Sequence, residues 1–441
     1  MERNHIAILC FSALPYTDNW GGTQRMHYMA NQLSSSFDVT VIAPKNTEKA
    51  YYTDEVIKYN TKFFENKLGK HLLTLRKGNT IGNSTNKKLS TCLKTNVCGF
   101  AIKICKFINT AVYNEPTYFM GIVASRWIAN NSYAIVEFLK RESVKVLIIS
   151  VPPWNIVSIK FLNKVKKLGC KLILDYRDPW NCWNNHRGYP RWKEKRMVDL
   201  VDSVLVTNDN HASKIVEDFN LAKSKVHIVM NGFDEDTWDE VLVPAKSLSE
   251  NLLTISFIGS IQFSGKKSFR DPSIFMKALE SFEYKDRVRF RIVGSYNQSV
   301  LDFYKEKIPH FEMIPQVSQK ESFEWMLRSD VLVNFHTTDD NSSEYLIAGK
   351  IFDYYRSGAK ILSINGAKSI ERKFVENNKL GYYTPNTIQA IKSALNQIFG
   401  DWTSSPKDFK CLKSIDKTFS RQYQNKKVES VVKMLLNISN K

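Results

Sequence analysis

Read from its N-terminus, the chain alternates short unbroken apolar runs with stretches whose apolar positions recur every three or four residues. Unbroken runs of four to eight residues mark strands buried on both faces, as in parallel sheets, and the longer period marks helices. The first such run is 5–11. A loop with Pro15 and Asp18 leads to Gly21-Gly22-Thr23, after which Met26, Met29, Ala30 and Leu33 lie on one helical face. Residues 39–43 form a second predicted strand ending at Pro44. This β-loop-α-β opening predicts a doubly wound sheet. Further strands are predicted at 144–150, followed by Pro152-Pro153, and at 171–175, 204–207 and 226–229. Helices are predicted over 156–167 and, capped by Asn208 or Asp209, up to Phe219.

The alternation pauses in a polar stretch, 244–251, the predicted linker, and then starts again. Strands follow at 253–259, 288–293, 331–335 and 360–364, with helices at 272–282, 319–327 and 349–357. The expected fold class is α/β, with two doubly wound domains and a cleft between them. The expected boundaries are 1–245 and 246–419. At 441 residues the chain is too long for one ordinary core, which fits two domains.

Composition changes this picture in two ways. An apolar fraction of 43% with 12% aromatic residues excludes wholesale disorder. A net charge of +19, from 63 Lys and Arg against 44 Asp and Glu, calls for an acidic partner. From Lys62 to Lys106 there are ten Lys or Arg and one acid, Glu65, with Leu89, Leu93, Val97, Phe100, Ile104 and Phe107 at helical spacing. That segment reads either as a membrane-surface contact or as an ordinary helix with a solvated lysine face. Eleven more Lys or Arg lie between Lys160 and Arg196, with a tryptophan-rich loop, Trp180, Trp183 and Trp192, suited to headgroup depth.

Seven cysteines without paired spacing predict reduced thiols. Cys92, Cys98 and Cys105 lack a C-x-x-C or an accompanying His, so no zinc site is expected. The run 6–11 is too short for a secretory signal, and no window of about 18 uncharged apolar residues predicts a membrane span. The expected location is cytoplasmic, peripheral at the inner face of the membrane.

The segment 172–180, L-I-L-D-Y-R-D-P-W, carries the most chemistry. It is a buried-strand pattern ending in Asp175, Arg177 and Asp178, with Pro179 stopping the strand. In open α/β sheets ligands collect beyond the carboxyl ends of strands, so these charges are expected at a cleft mouth. A structural Arg–Asp pair at a strand end is the alternative. Gly21-Gly22 follows a strand and opens a helix, where backbone N–H groups suit a phosphate, although glycines also simply form turns. It is neither a Walker A loop nor a dinucleotide fingerprint. Gly259-Ser260 repeats the strand-then-glycine arrangement, with Lys266, Lys267 and Arg270 following, either for a diphosphate or as a solvated basic loop. Glu344 precedes Gly349-Lys350 and a helix start bearing Lys350 and Asp353 on one face.

Taken together, these segments resemble a GT-B glycosyltransferase of family 4, in the bacterial surface-polysaccharide branch where a Pro-Pro turn precedes a D-x-R-D-P-W strand end. Segments 21–33, 148–154, 172–180, 202–208, 231–236, 258–279 and 349–362 match in the family's order, and 419–436 resembles its returning C-terminal helix. The resemblance implies two Rossmann-like domains facing across a cleft, with 420–441 packing back on the first, and a retaining, hexosyltransferase-like enzyme that uses a nucleotide-diphosphate sugar, with no cofactor and no metal. Its acceptor would be a glycan or undecaprenyl-linked intermediate of capsule or O-antigen type, reached from an anionic membrane surface, with no nucleic acid involved. Gly21 and Gly22 would lie near the donor diphosphate, Arg270 would neutralise the leaving group, Asp353 would hold the ribose, and Arg177 and Asp178 would be acceptor-side catalytic groups. The chain departs from the pattern at Ser260, where many members carry Arg, and at Tyr345, which stands at the first Glu of E-x7-E with Glu344 beside it. The diphosphate is thus left to Arg270 with Lys266 or Lys267. A nucleotide-sugar epimerase of the same fold, a non-catalytic transferase partner and a basic nucleic-acid binder are the rival readings.

Overall fold

The computed structural model of the protein describes residues 3–17, 20–53, 55–66, 118–181, 188–241, 252–261, 270–296, 298–336, 341–405, 409 and 415–438. The chain divides into two compact units, Met1–Val229 with Asn425–Lys441, and Met230–Gln424.

The first unit is built on a seven-stranded parallel sheet of β1 (His5–Leu9), β2 (Asp38–Lys45), β3 (Asn60–Glu65), β4 (Val146–Val151), β5 (Lys171–Tyr176), β6 (Ser203–Val206) and β7 (Val226–Ile228). Their spatial order is β3-β2-β1-β4-β5-β6-β7, so the winding reverses between β1 and β4. Strand alternation sends successive side chains to opposite faces. Ile6 and Ile8 pack with Met26, Met29 and Leu33 of α1 (Trp20–Leu33) and with Val428, Val431 and Val432 of the C-terminal helix Arg421–Leu435. Ala7 and Leu9 face the other layer, formed by α2 (Tyr118–Arg141), α3 (Ile159–Lys167), α4 (Tyr189–Leu200) and α5 (Asp209–Phe219) through Trp127, Phe161, Met197 and Ile215.

The second unit repeats the plan with six parallel strands, β8 (Leu253–Ile258), β9 (Val288–Val293), β10 (Phe311–Ile314), β11 (Val331–Phe335), β12 (Lys360–Ile364) and β13 (Gly381–Thr384), ordered β10-β9-β8-β11-β12-β13. Its winding reverses between β8 and β11. The helices are α6 (Glu235–Asp239), α7 (Ser273–Glu280), α8 (Gln298–Lys305), α9 (Gln319–Leu327), α10 (Lys350–Ser357), α11 (Ile370–Asn377) and α12 (Ile388–Ser404).

The expected pair of doubly wound Rossmann-like domains is therefore present, with several local differences. The expected boundary at 245/246 contrasts with a division at 229/230, because Trp238 of α6 stacks on Phe323 of α9 (4.2 Å between centroids) and belongs to the second unit's core. The expected linker, 244–251, lies outside the described residues, as does the basic segment 67–106. Strand β2 runs on through Pro44, which pairs with Phe64 of β3, an edge strand with too few apolar positions to be read from sequence. Edge strands β10 and β13 escaped the sequence reading for the same reason. The predicted helix 156–167 begins instead at Ile159, where the Ser158 hydroxyl accepts from Phe161 N. Among the described residues, no helix is long and apolar enough to cross a membrane.

Outgoing and returning chains run side by side in the second unit. Phe233 N donates to Phe419 O and Arg421 N donates to Phe233 O (3.1 and 2.7 Å). A Cβ on Gly232 (φ 69°) would lie 2.8 Å from Arg421 N, so only glycine fits this close approach.

Candidate active site

In each unit buried polar side chains gather at the carboxyl ends of strands at or next to the winding reversal. In the first unit these surround the end of β5. Asp175 is fully buried and turned towards α1, where the Arg25 guanidinium holds it with Nε donating to both carboxylate oxygens (3.1 and 3.2 Å) and Nη2 to Oδ1 (2.8 Å). Ser150 Oγ of β4 donates to Oδ2 (3.0 Å). The structural pair weighed from the sequence exists, but its arginine is Arg25 and not Arg177. Arg25 could have been found: it sits four residues before Met29, on the stripe that α1 buries.

Arg177 has a different task. Its guanidinium donates to the carbonyls of Gly22 and Pro152, and its backbone N–H to Val151 O (2.9 Å). It therefore joins the first turn of α1, the Pro-Pro turn after β4 and the end of β5. Desolvation pulls the guanidinium below the usual arginine range, opposed by Asp178 and Asp175, and its Nε has no hydrogen-bond partner among the described residues. Gly21 and Gly22 lie inside the first turn of α1, which begins at Trp20, rather than in a loop before it. A Cβ on Gly21 would meet nothing within 4 Å.

The opposite face of β5 is also clamped. Tyr176 Oη donates to Glu194 Oε1 (3.0 Å) and Asn181 Nδ2 to Glu194 Oε2 (2.7 Å). Lys193 Nζ donates to Asn155 Oδ1 (2.6 Å), and Trp180 stacks on Trp154 (5.7 Å). Trp180 is thus a core residue rather than an interfacial one, Trp192 lies on α4 rather than in a loop, and Trp183 falls outside the described residues. Burial raises the Glu194 carboxyl to about 7, with Asn181 and Tyr176 restraining the shift, and lowers His211 to about 3. Glu194 accordingly keeps its proton in the folded state up to about pH 7, while the unfolded carboxyl ionises near 4.5. Native stability should therefore fall as pH rises through this window, by on the order of 3 kcal/mol. Glu194→Gln should flatten that slope in urea denaturation series; an unchanged slope would show that Glu194 does not carry it.

In the second unit the end of β8 forms the corresponding site. Gly259 (φ 135°) and Gly294 (φ 138°), following β8 and β9, touch backbone to backbone: a Cβ on Gly294 would lie 2.1 Å from Gly259 O. Gly259 N donates to Val293 O (2.7 Å), and Ser295 Oγ donates to Ser260 Oγ (2.7 Å). From the start of α10, Lys350 reaches this edge, with Nζ 3.7 Å from the Phe257 ring centroid and donating to Ile258 O (3.3 Å). Desolvation holds its ammonium well below the usual lysine range; Arg270 pushes the same way and Glu371 opposes. Glu371, buried, accepts from Ser363 Oγ (2.5 Å) and Asn334 Nδ2 (2.6 Å). Burial raises its carboxyl too, and Lys350 counters that.

Gly259, Ser260, Lys350 and the exposed Arg270 thus gather at one strand end. Lys266 and Lys267 lie outside the described residues. Asp353, one turn on, has one carboxylate oxygen engaged: its Oδ1 accepts from Trp238 Nε1 (3.2 Å), and burial raises its carboxyl to about 6. Glu344 ends a 3-10 turn, Asn341–Glu344, and Gly349 caps α10 beside the Asn231 side chain. Sequence reasoning missed Glu371 and its partners because that network joins three separate elements.

No family model matches the chain, and no curated protein matches it in sequence. Solved structures do match over nearly its whole length. The Anabaena protein Alr3699/HepE, solved with UDP and glucose, has 12% identity and a TM-score of 0.61, covering 98% of this chain and all of that one. The catalytic domain of starch synthase IV from Arabidopsis thaliana, bound to ADP and acarbose, has 11% identity and a TM-score of 0.62, covering 99% and 100%. A putative UDP-N-acetylglucosamine 2-epimerase from Listeria monocytogenes has 9% identity and a TM-score of 0.57, covering 99% and 98%. The fold is GT-B, the two-Rossmann plan that these proteins share.

Proposed function

We propose that the protein is a glycosyltransferase that moves a sugar, with retention, from a nucleotide-diphosphate sugar to a lipid-linked or surface-glycan acceptor at an anionic membrane. The main support is the edge of the second unit, where two touching glycines lie beside a desolvated lysine at the reversal of the winding. Such reversals are where open α/β sheets take their ligands. A full-length likeness to proteins solved with UDP or ADP supports the same reading.

The chemical task is departure of a nucleoside diphosphate from the sugar's C1. Cations already in place for that developing charge lower the barrier without reorganisation, typically by several kcal/mol. In this reading Arg270 neutralises the leaving diphosphate, with Lys350, Lys266 or Lys267 beside it, and Gly259 and Ser260 let the phosphates approach the backbone. A diphosphate arriving near Lys350 would favour its charged form, opposing the desolvation that depresses it. Asp353 is assigned the ribose, with Trp238 fixing one carboxylate oxygen. Gly21 and Gly22 are assigned to a phosphate, and Arg177 and Asp178 to the acceptor side.

A thermal-shift screen against UDP-, GDP-, ADP- and dTDP-sugars tests the reading, since a ligand at 100 times its Kd stabilises by about 2.7 kcal/mol. Absence of a shift with every donor would sink it. Arg270→Ala is expected to leave the melting temperature unchanged and abolish turnover, and near-normal rates would remove its assigned role. Because the fold is shared with an epimerase, each donor should also be incubated alone: inversion at C2 without acceptor would replace transfer by epimerisation.

A further inference from the structure

Glu371 is a buried acid to which the transfer reaction, as assigned, gives no task. It is 2% exposed and lies in the first turn of α11, where the helix dipole favours a negative charge. Each carboxylate oxygen takes a hydrogen bond from the end of a strand, Oε1 from Ser363 Oγ of β12 and Oε2 from Asn334 Nδ2 of β11. Asn334 and Ser363 are register partners, and Ser363 Oγ itself accepts from Asn365 Nδ2 (2.5 Å). Donors thus converge on the carboxyl group from two strands, as suits an ionised carboxylate. Neutral donors alone do not offset the burial of a charge, so a cation is needed nearby.

Lys350 is that cation. It is the first residue of α10, which covers the same sheet face as α11: Phe352 of α10 packs on Phe374 of α11 (5.3 Å between centroids). A lysine at the start of a helix is opposed by the dipole, and here it is also desolvated and repelled by Arg270. Asp353, one turn on, is engaged by Trp238, and Tyr354 Oη donates to the same Ile258 O that Lys350 uses (3.4 Å). Among the described residues, Glu371 is the carboxylate that attracts Lys350, and Lys350 is the cation that attracts Glu371. Yet the two make no ion pair within 4 Å among those residues. An ammonium has three donors, and Ile258 O takes one. Contact with Glu371 would take another and cancel the charge. From a distance, the carboxylate sustains the charge and leaves donors for a ligand.

We infer that Glu371 is a positioning residue of the donor edge: standing back from Lys350, its carboxylate keeps that lysine an ammonium at the end of β8, ready for a nucleoside diphosphate. The diphosphate rests on the transferase reading; the coupling of Glu371 to Lys350 does not.

The first test needs no nucleotide. With lysines isotope-labelled at Cε and the Lys350 resonance assigned by its loss in K350R, NMR should show an ammonium at pH 7 in the wild type. In E371Q, which keeps the size and removes the charge, the Lys350 titration midpoint should fall by about one pH unit or more. E371D, which keeps the charge, should hold the midpoint near that of the wild type. A neutral amine at pH 7 in the wild type would overturn the inference, even if E371Q failed to fold. So would an unchanged midpoint in E371Q.

The second test is calorimetric binding of UDP and ADP at pH 7 and pH 9. A midpoint lower by one unit leaves about tenfold less ammonium once the pH exceeds both midpoints. E371Q should therefore lose affinity across this range up to about tenfold more steeply than the wild type, and E371Q/K350M no more steeply than K350M. An E371Q slope equal to that of the wild type, or a steepening that persists without Lys350, would overturn the positioning role. A lowered midpoint with no UDP or ADP binding by the wild type would uphold the coupling and remove the transferase reading, so the two failures are distinguishable.

Discussion

Asp175→Ala is expected to destabilise the first unit by about 3–5 kcal/mol, the usual cost of removing one partner from a buried ion pair. The cause is the charge left behind. Arg25 is 9% exposed, its guanidinium donates three times to Asp175, and truncation would remove this buried carboxylate from the sheet–helix interface. Ser150 would lose its acceptor as well. Replacing both partners, as in R25M/D175L, should recover most of the loss, because an apolar pair of similar volume carries no desolvation penalty. Chemical denaturation of the two single variants and the double variant would measure this. A loss below about 1 kcal/mol in Asp175→Ala would mean that the pair behaves as a solvated one.

Gly294→Ala should cost the second unit about 3 kcal/mol or more. Two penalties combine: a backbone angle that side chains rarely adopt, and a methyl group placed 2.1 Å from Gly259 O. Relief requires the loops after β8 and β9 to separate. That movement would break the Gly259 N to Val293 O bond and displace Ser260 from Ser295. The variant should therefore also lose the thermal shift with nucleotide-sugars, even in the fraction that remains folded. Retained stabilisation by a donor would place the ligand away from this edge.

Much of the scaffold was readable locally. Strands β9, β11 and β12 were predicted at their observed limits, as was α9, because each is a short apolar run or periodic stretch bounded by its own signals. Asn208 does cap α5, accepting from His211 N at 2.9 Å. The edge strands were not readable, since a half-exposed strand lacks the unbroken apolar run that marks a central one. The geometry of the candidate site was legible only in part. Gly259, Ser260 and Lys350 gather where strand-end glycines and a helix start predict, yet Asp353, three residues after Lys350, bonds to Trp238, 115 residues away.

By itself, the order of apolar runs determined two doubly wound sheets and which strand ends would carry polar chemistry, because strand burial and helix capping depend on residues within a few positions of each other. Tertiary structure alone decided the partners. Arg25 meets Asp175 across 150 residues, and Glu371 meets Asn334 across 37, because the winding of each sheet selects the helix that lies over a given strand face. A local pattern contains no term for that choice.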